Sequence, residues 1–60
     1  MSRKIKDLKK GDAILFQKQD DEISYFGRVI DIFNAQTIGV VKTETSLMTI
    51  DNSYKIFKVY

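Results

Sequence analysis

The 60-residue sequence contains no cysteine, no histidine, no proline and no tryptophan. Without cysteine there are no disulfides and no thiolate metal sites. Without histidine, the commonest metal ligand and the commonest general base are both missing. The fold must therefore rest on apolar packing and backbone pairing alone, and the lack of cysteine suits a reducing cytosol. Glycine is scarce as well: Gly11, Gly27 and Gly39 stand too far apart to form a phosphate-binding loop. No apolar run approaches the ~18 residues that span a bilayer. The basic start is not followed by the apolar stretch of a secretory signal. These absences lead to the expectation of one soluble, cytoplasmic domain with no cofactor, no metal and no membrane partner.

Hydrophobic residues make up 43% of the chain, enough to build a core. A domain this small buries only about 60% of the surface its unfolded form exposes, so its expected stability is a few kcal/mol. Ten basic and eight acidic residues leave a net charge of only +2, and the distribution says more than the sum. Arg3, Lys4, Lys6, Lys9 and Lys10 put half of the basic residues in the first ten positions, against one acid, Asp7. Asp20, Asp21 and Glu22 then form an acidic run.

Short apolar alternations separated by polar loops predict strands throughout. The first spans Asp12 to Lys18, with Ile14 and Phe16 on the buried face, and Gly11-Asp12 before it reads as a turn. Gln17 to Ser24 is polar and acidic, as an exposed hairpin loop should be. The second strand runs from Tyr25 to Phe33. Ile32 follows Val29 by three rather than two, so a bulge near Ile30-Asp31 is needed to bring both onto one face, and such bulges bend small sheets. After a short turn at Asn34 to Gln36, the third strand, Thr37 to Thr43, is expected to direct Ile38 and Val40 inward. Thr43 to Ser46 form the next turn and Leu47 to Ile50 the fourth strand. A tight turn or a single 3₁₀ turn at Asp51 to Ser53 precedes a fifth strand, Tyr54 to Tyr60. Ser2 to Lys10 offers a short helical spacing at Ile5 and Leu8, too short to hold without docking. It is read as an irregular lead-in whose Ile5 or Leu8 covers one end of the fold.

Five short strands expose a whole apolar face unless the sheet closes on itself. The predicted fold is therefore all-β, a small five-stranded SH3-like barrel over residues 11–60 behind a basic lead-in at residues 1–10. Leu8 to Asp12, with Ile14 and Phe16 beyond, resembles the opening strand of KOW, Tudor-like and related SH3-like barrels. Tyr25 to Ile32 resembles the G-x-V-x-x-I signature that follows in them. Gly11, Asp12, Ile14, Phe16, Tyr25, Gly27, Val29, Ile30, Asn34, Ile38, Val40, Tyr54, Lys55 and Ile56 are similar to the pattern of a family of short uncharacterised proteins from low-GC Gram-positive bacteria and their phages. The resemblance covers roughly residues 8 to 57 and implies an SH3-like barrel without an activity.

Catalysis has little support. Asp20, Asp21 and Glu22 are adjacent in a loop, where neighbouring side chains diverge, and general acid–base work needs a perturbed carboxyl in a cleft. They also lack the alternating oxygen ligands and the glycine of a calcium loop. The chain is expected not to be an enzyme but a small binding module, with a nucleic acid or nucleoprotein complex as partner. Arg3, Lys4, Lys6, Lys9, Lys10 and Arg28 are the residues expected to meet phosphates. Aromatics beside cations would form if Arg28, Lys42, Lys55 and Lys58 share a face with Tyr25, Phe26 or Tyr60. The resemblance to KOW-like domains implies RNA, ribosomes or transcription complexes as the setting. One alternative is a protein-interaction adaptor, such as a phage-encoded modulator of a host protein, using Phe26, Phe33 and Tyr60 as outward anchors. Another is a structural subunit or homo-oligomer joined through an exposed strand edge such as the last strand, where Lys55 and Lys58 would act as edge protection.

Overall fold

Alternating burial carries through every strand of the computed structural model, which describes residues 3–60. The strands are β1 (Ala13–Gln17), β2 (Ser24–Phe33), β3 (Ile38–Thr43), β4 (Leu47–Asp51) and β5 (Lys55–Val59). They form one antiparallel sheet in the order β4-β3-β2-β1-β5. Ile14 and Phe16 share the buried face of β1 as the alternation requires.

The two edge strands, β4 and β5, are consecutive in the chain. Only residues 52–54 join them. Four residue steps reach at most about 14 Å, whereas strands at opposite edges of a flat five-stranded sheet lie about 19 Å apart. The sheet must curl to bring its edges together. No ladder joins β4 to β5 among the described residues, so the curled sheet is not closed.

Two register shifts help it bend. Val29 pairs with Val41 and Asp31 with Val40, which leaves Ile30 as the extra residue of a bulge. That puts Val29 in the core and Ile32 against it, as the three-residue offset in the sequence demands. A second shift, between Leu15 and Phe16, leaves Phe57 unpaired in β5, so Ile56 rather than Phe57 enters the core.

The lead-in runs along the outer edge of β5 and reaches the link between β4 and β5. It forms no α-helix but a single 3₁₀ turn, Ile5–Asp7, closed by the Leu8 amide donating to the Ile5 carbonyl at 3.0 Å. Ser2, where the expected helical stretch begins, lies outside the described residues. Arg3 bridges to Ile56 on the outer edge of β5, and the Ile5 amide donates to Asn52 Oδ1 at 3.0 Å. Both Ile5 and Leu8 are buried, beside Ile14, Phe16, Val29, Val41, Ile50 and Ile56. The lead-in thus supplies two of the eight core side chains.

One strand faces opposite to expectation. In β3, Gly39 and Val41 are buried, while Ile38 and Val40 are only half-buried on the outer face. Val40 and Val41 are adjacent, so the local pattern suits either register, and a shift of one residue exchanges the faces. Pairing of Gly27 with Thr43 and Val29 with Val41 decides it.

Candidate functional site

The outer face of the sheet is built from the other half of each alternation. Along β2 it presents Ser24, Phe26, Arg28 and Ile30. Phe26 pairs with Leu15 of β1, and Leu15 with Lys58 of β5. On the other side Arg28 pairs with Lys42 of β3, and Lys42 with Leu47 of β4. Five strands therefore bring distant residues into one band: Lys58, Leu15, Phe26, Arg28, Lys42 and Leu47.

Tyr60, just beyond β5, is anchored by its amide donating to the Ala13 carbonyl at 2.8 Å. Its ring meets that of Phe26 edge to face, with centroids 5.3 Å apart and planes at 62°. Lys58 Nζ stands 4.9 Å from the centre of the Tyr60 ring, a cation–π contact. Phe26 and Tyr60 nonetheless remain 56% and 61% exposed. An apolar pair this open retains a large surface available for contact.

Beside it, Arg28 and Lys42 face one another across β2 and β3. Like charges directly opposite on a sheet destabilise it, and an anion placed between them removes the penalty. Arg28 Nη1 donates to the Gly11 carbonyl at 2.5 Å, which orients its guanidinium. An open cavity of about 830 Å³ lies here, lined by Ser24, Phe26, Arg28, Lys42, Glu44 and Thr45 among others. Its outer wall is the turn after β3, held by the Thr43 amide donating to the Ser46 carbonyl at 2.8 Å and the Ser46 amide to Thr43 Oγ1 at 3.2 Å.

The expected cationic residues are divided between separate places. Lys9 and Lys10 sit in the turn before β1, next to Arg28, because the Gly11 amide donates to the Val29 carbonyl at 2.7 Å. Lys10 also forms an exposed ion pair with Asp31 at 3.5 Å. Arg3, Lys4 and Lys6 are exposed on the lead-in, whose Ile5 packs on the inner side of the sheet. They are not brought to the band with Phe26. Tyr25 also departs from the outward group. It lies half-buried on the inner face, stacked on Phe16 with centroids 5.7 Å apart, and Tyr54 meets the same ring at 6.1 Å. Phe33 points outward and is 47% exposed, but seven residues along β2 from Phe26 it stands about 23 Å away.

Lys42 and Lys58 lie on the outer face with Phe26 and Tyr60, and Leu15 and Leu47, which the sequence did not mark, complete the band. Their i, i+2 relation to neighbours was visible in the sequence, whereas the strand order that aligns them was not. Among the described residues no group of three or more His, Cys, Asp or Glu side chains converges as metal ligands would. Among the described residues no helix is long and apolar enough to cross a membrane. A scan of protein-family models and searches of curated proteins and of solved structures find no match to this chain.

Proposed function

We propose that this protein is a non-enzymatic binding module that takes single-stranded nucleic acid on the outer face of its sheet. The observation that carries the reading is the like-charged cross-strand pair Arg28–Lys42 beside the exposed Phe26–Tyr60 pair. Cations that track a backbone, next to aromatic faces on which bases stack, are the working parts of sequence-tolerant single-strand recognition. Each phosphate neutralised adds a salt-dependent increment to the affinity.

The same reading takes the curled sheet to be an SH3-like barrel of KOW-like type. Support comes from the short β4–β5 link, the paired lead-in and the resemblance of Leu8 to Asp12 and Tyr25 to Ile32. It places the protein in a bacterial or phage nucleoprotein setting within the cytoplasm.

The test is an amide-shift titration of ¹⁵N-labelled protein with short single-stranded RNA and DNA at several salt concentrations. Shifts should cluster on Phe26, Arg28, Lys42, Lys58 and Tyr60 and fade as salt rises. Lys42→Ala should flatten the slope of log K against log salt by about 0.7, the value of one phosphate on a single strand. Absence of shifts at low salt removes the proposal.

A second reading, a protein-interaction surface, is favoured by one specific observation. Ile30 and Leu47 are 42% and 62% exposed on the same outer face as Phe26. Such an interface would hold against salt and be lost on Phe26→Ala.

A further inference from the structure

We propose that the protein self-associates as a two-fold dimer through the free edge of β4, whose occupant is β4 of a second copy. The proposal goes beyond the ligand face and does not rest on it.

The two edges of the sheet differ. Along the edge of β5 runs the Arg3–Ile56 bridge, and the strand is bulged at Phe57 and carries Lys55 and Lys58. All three features oppose addition of another strand. By contrast, β4 reads Leu-Met-Thr-Ile-Asp, with no lysine, arginine or proline, and pairs with β3 in unbroken register. No segment pairs with its other side among the described residues. Leu47 at its start is 62% exposed, the highest value among the exposed large apolar side chains of the described residues. An edge of this kind is a row of unpaired N–H and C=O groups. Because the Arg3–Ile56 bridge, the bulge and the two lysines all stand on the β5 edge, head-to-tail growth from β4 to β5 is disfavoured. The remaining arrangement is β4 against itself, which closes as a dimer.

The sequence of β4 suits that pairing. An antiparallel register centred on Thr49 sets Thr49 opposite its own copy, and hydroxyl residues pair well across strands. Met48 then faces Ile50 of the second copy, and Leu47 faces Asp51. Lys42 stands beside Leu47 on β3, two strand spacings or about 10 Å from that aspartate, within reach of a lysine side chain. Asp51 Oδ1 accepts from the Ser53 amide and hydroxyl, which leaves Oδ2 for the ammonium. The two-fold axis runs perpendicular to the sheet, so the outer faces of both copies lie side by side. A five-residue strand pair is a small interface, and the equilibrium should depend visibly on concentration.

Sedimentation equilibrium of the full chain over a wide concentration range reads the assembly directly. A monomer–dimer equilibrium is expected. Thr49→Lys should raise the dissociation constant tenfold or more by setting two ammonium groups opposite one another, and Phe26→Ala should leave it unchanged. Thr49 is exposed, so the fold should persist, as circular dichroism can verify. A second variant guards against misfolding. The chain has no cysteine, so Thr49→Cys should cross-link to a covalent dimer on oxidation, while Lys55→Cys should not. A monomer at every concentration, a dimer that survives Thr49→Lys, or equal cross-linking of both cysteine variants overturns the proposal.

Discussion

Phe26 in β2 and Tyr60 beyond β5 touch across the full width of β1, ring edge to ring face at 5.3 Å. Two strand spacings would hold them about 10 Å apart at the backbone, so both side chains lean over Ala13 and Leu15. The planes stand at 62°, and Lys58 lies over the Tyr60 ring. Phe26 remains 56% exposed and carries the larger share of the stacking prediction. Phe26→Ala should weaken single-strand binding by about 1–3 kcal/mol, the worth of one stacked base, with the salt slope unchanged. Phe26→Tyr should retain most of the affinity. Equal losses from both variants in fluorescence anisotropy would place the effect in the fold rather than in stacking.

The lead-in makes a comparable prediction about stability. Ile5 is fully buried and lies against Gly39, beside Ile50, in the core. Ile5→Ala should cost about 2–5 kcal/mol, a large part of what so small a domain has. Lys4→Ala, an exposed neighbour, should cost almost nothing. Urea unfolding of the two variants separates a structural lead-in from a solubilising tail.

Two glycines should respond with opposite signs. A Cβ on Gly27 would lie 2.6 Å from Val41 Cγ1 and 2.8 Å from the Lys42 carbonyl oxygen, because β2 and β3 are creased together there. Gly27→Ala should destabilise by about 1–3 kcal/mol through overpacking. At Gly39 the nearest atoms to a Cβ are Ile50 Cγ1 at 3.6 Å and Ile5 Cγ2 at 3.7 Å, ordinary contacts. Gly39→Ala should be neutral or stabilising by up to about 1 kcal/mol, since alanine has less unfolded-state freedom to lose. Thermal melts that rank the two variants the other way would contradict the packing described.

Features carried by short-range pattern were legible before the structure. The Ile14–Phe16 alternation marked the core face of β1, and the Val29–Ile32 offset required a bulge. The orientation of β3 was not legible, because Val40 and Val41 satisfy either face and the choice rests on β2, far away in sequence. Ile5 and Leu8 showed apolar spacing, but nothing local says that both enter the core. At the candidate site, Phe26, Arg28 and Tyr60 lie exposed on the outer face. Their alignment with Lys42 and Lys58 follows from the order β4-β3-β2-β1-β5, a long-range property. The same order separates them from Arg3, Lys4 and Lys6, which charge counting had grouped with Arg28.

Asp51 should give the fold a specific acid sensitivity. The Ser53 hydroxyl donates to its Oδ1 at 2.5 Å and the Ser53 amide at 2.9 Å, and these bonds hold its carboxyl below the ordinary value of 3.8. A folded-state value below the unfolded one means the contribution is complete above the unfolded value and is lost as pH falls through the folded value. Carboxyl carbon shifts should show Asp51 titrating below 3.8, and Ser53→Ala should move it back upward. No change in Ser53→Ala would mean that the turn between β4 and β5 does not depend on this side chain.

The turn between β2 and β3 offers the clearest route to a more stable protein. Asn34, Ala35 and Gln36 all adopt left-handed backbone, with φ of 57°, 56° and 64°. Asparagine tolerates this conformation, but a Cβ without a polar group has no compensating local bond, and each such residue costs about 1–2 kcal/mol. The Thr37 hydroxyl and amide both donate to the Asn34 carbonyl, at 2.6 and 3.2 Å, and so hold the turn. Ala35→Gly relieves the strain at one position but adds freedom to the unfolded chain, a penalty of about 0.5–1 kcal/mol. The strain is the larger effect, so the variant should gain from a few tenths to about 1 kcal/mol. Ala35→Val should lose stability, because branching at Cβ makes the left-handed region harder still to occupy. If Ala35→Gly lowers the urea midpoint, residue 35 is not left-handed in solution, and the turn must hold β2 and β3 by another geometry.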